Sequence, residues 1–373
     1  MLLCQRNMQT LEKMKNLAKN RFQVLQERLL SPRLIHFGPQ ELMWECNESA
    51  ATESHPCGLP DAVDGTDFKR KMHFLALDSA GATSTPAFVD YSAWEEIVHR
   101  YSRTQLTKIT DKLIALSGLA KRMQAVFKSE YIAGLWRQAL PDELLWSVIE
   151  AEMTIKKSTG KDPSAPSFPY IAPSWSWASV DRVVKFWPAT LGIQSSSPNF
   201  GIEASLIDVQ LEYLSNETTD IIKRGHIDLQ GWMRPIDFGA GSRDEYGQID
   251  IYRPKNFTGP SIDGRRRDFD IDGYSCSYYL DGRHQSRYGE APDGDLYCML
   301  IGTYSSEDDI KIAYLLLRAV DSEQGVYERF GTAIVKAWCY ELEEVLALTK
   351  APITGTSIPC RSYRDGMYTI RII

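Results

Sequence analysis

The sequence predicts an α+β protein: a helical N-terminal half carrying a small β-hairpin, followed by a predominantly antiparallel β C-terminal half. Three observations predict it. Apolar residues step by three and four through the early segments, which keeps them on one helix face. Beyond about residue 200 they alternate in stretches rich in Ile, Val, Leu and Tyr, the pattern of strands. Between the two patterns, residues 154–169 are Lys, Ser, Gly, Pro and Asp, the composition of a loop or linker. The division places a mainly helical domain at 1–175, with hairpin 33–44 and long loop 47–90, and a β domain with long loops at 176–373.

Residues 8–30 read as an amphipathic helix with Leu11, Met14, Ala18, Phe22, Leu25 and Leu29 on one face. Ser31-Pro32 stops it, because the residue before proline is pushed out of the α region. Arg33 to Phe37 and Glu41 to Trp44 are the hairpin strands, with Gly38-Pro39 as the turn. Residues 47–90 are polar and aperiodic, a length that suits a lid, a binding loop or an insert. Helices are expected near 91–101, 107–127, 131–138 and 141–151, the last opened by Pro141-Asp142-Glu143. Pro173 to Val180 contains the aromatic anchor Trp175-Ser176-Trp177. Strands are expected at 204–214, 226–233, 297–304, 312–320, 327–336 and 368–373, with a helix at 340–349 and long loops across 236–292.

Composition excludes several function classes. The net charge of -7 argues against a general nucleic-acid or anionic-membrane binder. The basic cluster Arg265-Arg266-Arg267 is flanked by Asp263 and Asp268. No run approaches the 18 or so apolar residues of a membrane span, and Met1-Leu2-Leu3-Cys4-Gln5 turns polar too soon for a signal peptide. The seven cysteines are scattered and odd in number, which reads as reduced thiols and a cytoplasmic location. The nine tryptophans and eighteen tyrosines give an aromatic, polar-laced core.

Catalytic signatures are mostly absent. There is no Walker-type phosphate loop, no His-Glu-x-x-His, no Gly-x-Ser-x-Gly, no Cys-x-x-Cys and no dinucleotide fingerprint after a strand. None of the six histidines pairs with another at metal-ligand spacing in one element, and His55-x-Cys57 needs distant ligands. No metal and no cofactor is therefore expected. The charged residues of most interest lie at the junction of helix and hairpin: Glu27, Arg28, Arg33 and Glu45. One reading is structural. Glu27 pairs with an arginine, Arg28 or Arg33 caps the helix or ties down the hairpin, and Arg33 on the facing strand partners Glu45. The other is an arginine-lined anion pocket with a carboxylate beside it. Trp175 and Trp177 are either core anchors between the halves or a stacking platform for a planar ligand.

These residues carry a resemblance. Gln26-Glu27-Arg28, then Leu29-Leu30-Ser31-Pro32-Arg33 and Trp44-Glu45-Cys46, are similar to the end of the domain in fungal heterokaryon-incompatibility (HET) proteins. The similarity continues in Tyr131-Ile132-Ala133-Gly134-Leu135-Trp136, Leu144-Leu145-Trp146 and Ala172-Pro173-Ser174-Trp175-Ser176-Trp177-Ala178-Ser179, with a weaker echo in Gly325 to Gly331. It covers about 21–180 well and the β half loosely. Phe22-Gln23 stands where the family has Gly-Trp. Most of the HET core, including its Ser-Tyr-x-Trp-Gly-like motif, lies outside the matched segments, so any NAD-cleaving activity of related folds is not carried over. The resemblance implies an intracellular regulatory or self-recognition module that binds a partner protein or forms a homo-oligomer. The alternative is a tailoring enzyme of fungal secondary metabolism with a small aromatic or polyketide-like substrate held between the halves. On that alternative, Glu27→Gln abolishes turnover with little change in melting temperature.

Overall fold

Residues described in the computed structural model are 22–38, 41–59, 91–104, 108–149, 170–186, 200–215, 221–236, 275–281, 295–305, 309–338, 342–351 and 357–373. The first half begins with helix α1 (Phe22–Leu30), which ends at Ser31-Pro32. Strands β1 (Arg33–Phe37), β2 (Leu42–Cys46) and β3 (Ala50–Thr52) then form a three-stranded antiparallel sheet. Helix α2 (Ser92–Ser102) buries Trp94, Ile97, Val98 and Tyr101, the face set by their spacing. Helix α3 (Ser117–Phe127) buries Leu119, Ala120, Met123 and Phe127 and packs on α1. The predicted residues 8–21, the turn at Pro39 and the linker 154–169 lie outside the described residues, as does most of the 47–90 loop.

Three expected helices are corrected here. The helix expected at 107–127 is α-helical only from Ser117; before it come 3-10 turns at Ile109–Asp111 and Ile114–Leu116. The cause is competition for one carbonyl. Tyr101 Oη donates to Lys112 O at 2.7 Å, and Leu116 N bonds Leu113 O instead. The buried Lys112 ammonium is itself tied to Val180 O and lies 5.2 Å from the Trp177 ring centroid. The helices expected at 131–138 and 141–151 are replaced by a hairpin, β4 (Tyr131–Ile132) and β5 (Leu135–Trp136), two 3-10 turns, Arg137–Ala139 and Asp142–Leu145, and strand β6 (Trp146–Val148), which pairs with β7 (Val184–Phe186). Ala133 and Gly134 close the hairpin with φ of 48° and 96°, the two left-handed positions of a tight hairpin turn. A side chain at Gly134 would lie 2.6 Å from Trp177 Nε1.

The second half is one ten-stranded sheet among the described residues. Its strands are β8 (Phe200–Ile202), β9 (Ser205–Tyr213), β10 (Ile222–Gly231), β11 (Met233–Ile236), β12 (Ser275–Leu280), β13 (Leu296–Ser305), β14 (Asp309–Asp321), β15 (Val326–Trp338), β16 (Ser362–Arg364) and β17 (Met367–Ile372). The main path runs β11-β13-β14-β15-β17-β10-β9. All pairings are antiparallel except β15 with β17. β15 divides one edge between two neighbours: Gly331 to Lys336 pair with β12, and Val326 and Tyr327 with β17. β12 falls inside the span expected to be mainly loop.

Both faces of β13 and β14 are buried, which explains why these strands read as near-continuous apolar runs. Tyr297, Met299, Ile301, Ala313, Leu315 and Leu317 join the large cluster that also holds Trp94, Trp136, Trp146, Trp175 and Trp177. Leu296, Cys298, Leu300, Ile312, Tyr314 and Leu316 form a second cluster on the other face, with Leu346 of helix α4 (Leu342–Lys350) against it.

The segment Ser174 to Ser179 joins the halves. Ser176 Oγ donates to Ala133 O at 2.6 Å, while the indoles of Trp94 and Trp177 both donate to Gly134 O, at 2.9 and 2.8 Å. Trp146 Nε1 donates to Trp175 O at 2.9 Å, and Ser174 Oγ accepts from Arg329 N at 2.9 Å. Arg329 itself is fully buried. Its guanidinium stacks on Trp146, 3.4 Å from the ring centroid, donates to Leu144 O and Trp146 O, and pairs with buried Asp281. Removing one partner of a buried ion pair leaves the other charge uncompensated. Asp281→Ala is therefore expected to lower stability by about 3–5 kcal/mol, read from the urea unfolding midpoint; a loss below about 1 kcal/mol would show that Arg329 is neutralised by other means.

Candidate interaction surface

The three-stranded sheet buries a carboxylate on its inner face and leaves large apolar side chains exposed on its outer face. Strand alternation sends Leu34, His36, Met43 and Glu45 to one face and Ile35, Phe37, Leu42 and Trp44 to the other. Glu45 is 0% exposed. Arg28, on the last turn of α1, grips it with two bonds, Nε to Oε1 and Nη2 to Oε2, both 2.8 Å. His36 Nε2 lies 3.3 Å from Glu45 Oε1 on the same face. Burial pushes the Glu45 carboxyl up, but the hydrogen bonds from His36 and Arg28 outweigh it and hold the group at about 2.

The outer face is the reverse. Phe37 is 84% exposed, Ile35 60%, Leu42 39% and Trp44 36%. They sit in two cross-strand pairs, Ile35 opposite Trp44 and Phe37 opposite Leu42, so they form one continuous patch. Because the period is two, a slip of one residue would turn this row inward and expose Glu45. The ion pair forbids that slip. Leu29, one residue after Arg28, is buried in the main core, and Met43 and Ala50 make a small cluster beneath the hairpin. The patch is thus fixed to the body of the protein.

The sequence-derived site residues divide accordingly. Arg28 and Glu45 meet; Glu27 and Arg33 are exposed and take no part in the pair. Arg33 is not the partner expected for Glu45, since alternation places it on the outer face, opposite Cys46, while Leu34 faces Glu45. Trp175 and Trp177 are fully buried in the core. The Cys46 thiol experiences a burial penalty, but the N–H groups of Glu48 and Ser49, at 3.3 and 3.4 Å from Sγ, hold its pKa below the usual value.

A second charged constellation was not legible as such in the sequence. Asp142 and Glu143, expected in the first turn of a helix, are buried in a 3-10 turn. Burial raises the Asp142 carboxyl to about 6, against the hydrogen bond from Tyr304 Oη at 2.5 Å. Burial also raises Glu143 well above the usual carboxylate range, against the Trp136 N–H at 2.5 Å and with the help of Glu95 and Asp142. Two adjacent acids of raised pKa have the character of proton donors. Both are enclosed, so their effect falls on folding.

No family model matches this chain, and no curated protein or solved structure matches it either. Among the described residues no helix is long and apolar enough to cross a membrane.

The two carboxyls give stability opposite slopes with pH. Glu45 titrates lower when folded, so its contribution is present above about 4.5 and is lost as pH falls through about 2. Asp142 titrates higher when folded, so its contribution is present below 3.8 and is lost as pH rises through about 6. Asp142→Asn keeps an acceptor for Tyr304 and is expected to raise stability at neutral pH by on the order of 3 kcal/mol. Urea unfolding between pH 3 and 8 checks this; a profile identical to wild type would show that Asp142 is not desolvated. Glu45→Gln is expected to flatten the acid limb of the same curve.

Proposed function

We propose that this chain is a recognition module that docks a protein, either a partner or a second copy of itself, on the outer face of β1–β3. The observation that carries the reading is the inverted sheet. A buried carboxylate and arginine on the inner face hold four large apolar side chains in solvent on the outer face. Burying a large apolar side chain is worth about 1.5–3 kcal/mol, so a row left outside by a fixed register is a favourable contact surface for another molecule. The row also offers the aromatic anchors, Phe37 and Trp44, that typify interface hot spots.

The end of α1 and strands β1 and β2 carry the residues that resemble the end of the HET domain, Leu29 to Arg33 and Trp44-Glu45-Cys46. That resemblance supports a regulatory or self-recognition role in a fungal, intracellular setting. It supports no catalytic role for Glu27, Arg28, Arg33 or Glu45.

A photo-crosslinking side chain placed at position 37 is expected to form a protein adduct, to itself or to another protein, that disappears when Ile35→Lys is added. Ile35→Lys should leave the melting temperature within about 1–2 °C of wild type, because the side chain is largely exposed and lies outside the core. No adduct in cells that express the protein naturally, or an adduct indifferent to Ile35→Lys, would overturn the reading.

A further inference from the structure

At the edge of the large sheet, two strands bring a histidine and two aspartates to one face. His226 and Asp228 are two apart on β10 and so share a face, and Asp208 on β9 is directly opposite Asp228. The intervening Ile227 and the following Leu229 point the other way, into the core. Like charges directly opposed across a sheet repel. Arg371, opposite Asp228 on β17, answers one of the two acids, with Nε to Oδ1 and Nη2 to Oδ2 both 2.8 Å, and Arg361 lies 3.9 Å away. Asp208 accepts the Gln210 amide at 2.9 Å. His226 Nε2 is shielded from solvent and has no hydrogen-bond partner within the protein. An opposed pair of carboxylates and a spare imidazole nitrogen are what a small divalent cation would satisfy.

We propose that Asp208, His226 and Asp228 bind a divalent transition ion, zinc in preference to magnesium or calcium. The donor set decides the preference: an imidazole nitrogen with two carboxylates suits zinc, whereas the harder ions take oxygen alone. One ligating atom from each residue lies within 4.8 Å of the other two. Ligands of a tetrahedral ion with bonds of about 2.1 Å stand roughly 3.4 Å apart, so binding closes the triad by at most about 1.4 Å. Asp208 and His226 are both half-buried and have room to move, whereas Asp228 is buried. Arg371 does not block the site. A carboxylate has about four acceptor positions; the guanidinium uses two and orients Asp228, as an outer-shell partner does for a metal-binding carboxylate. Its charge, with that of Arg361, makes the site weaker than an all-cysteine structural one.

Calorimetric titration of the full chain with zinc chloride is expected to give one zinc per chain, with a melting temperature raised by several degrees at saturating metal. Asp208→Asn and His226→Gln should each lower the affinity about tenfold or more. Their circular dichroism and metal-free melting temperature should match wild type. Cobalt should reproduce the stoichiometry and give visible absorption bands that both substitutions abolish. Absence of zinc binding, or zinc binding of unchanged affinity in both variants, overturns the proposal. The second result would place the ion on the scattered thiols instead.

Discussion

The fold rests on a cation held where no water reaches it. An unpaired guanidinium in a protein interior costs several kcal/mol, so Arg329 constrains everything around it. Its charge requires Asp281, its flat face requires Trp146, and its remaining N–H groups require the carbonyls of Leu144 and Trp146. Those partners come from β12's end, from β6 and from the turn before β6. The single side chain therefore fixes where the first half sits on the sheet. The backbone N–H of the same residue goes to Ser174, which begins the segment that carries Trp175 and Trp177. Aromatic packing, with Trp94 and Trp136 edge-to-face at 5.4 Å, fills in around this frame.

A second ion pair does different work. Arg28 and Glu45 lie at the margin, and the apolar area they help bury is small. What they determine is orientation: which side of a short sheet faces in. A polar pair that fixes register at some expense of stability is a known use of buried charge. Here its result is an outer face that the chain's own core leaves uncovered.

The sequence revealed elements whose signal is local. Trp94, Ile97, Val98 and Tyr101 marked α2, and the runs from Tyr297, Ile312 and Tyr327 marked three neighbouring strands, although not that both faces of β13 and β14 were covered. It misread places where a distant group takes a backbone partner. Tyr101 captures the Lys112 carbonyl, and two indoles converge on Gly134 O, so helix periodicity at 107–116 and 131–138 lost to tertiary bonds. Arg329 gave no warning, because an arginine within a strand reads as solvent-facing. At the candidate surface Glu45 was legible as a carboxylate in need of a partner, yet Arg33 was the wrong choice. Strict alternation along β1 already excluded it. Asp208, His226 and Asp228 were invisible as a group, since strand pairing and not spacing brings them together.

The hairpin separates two kinds of evolutionary freedom. Its inward row is locked: changing His36, Met43 or Glu45 disturbs contacts within the chain. Its outward row contributes little to holding the protein together. Side chains at 35, 37, 42 and 44 can therefore be exchanged one at a time under whatever selection acts on them, while the scaffold beneath stays constant. Such an arrangement lets the exposed row vary without eroding the fold that displays it.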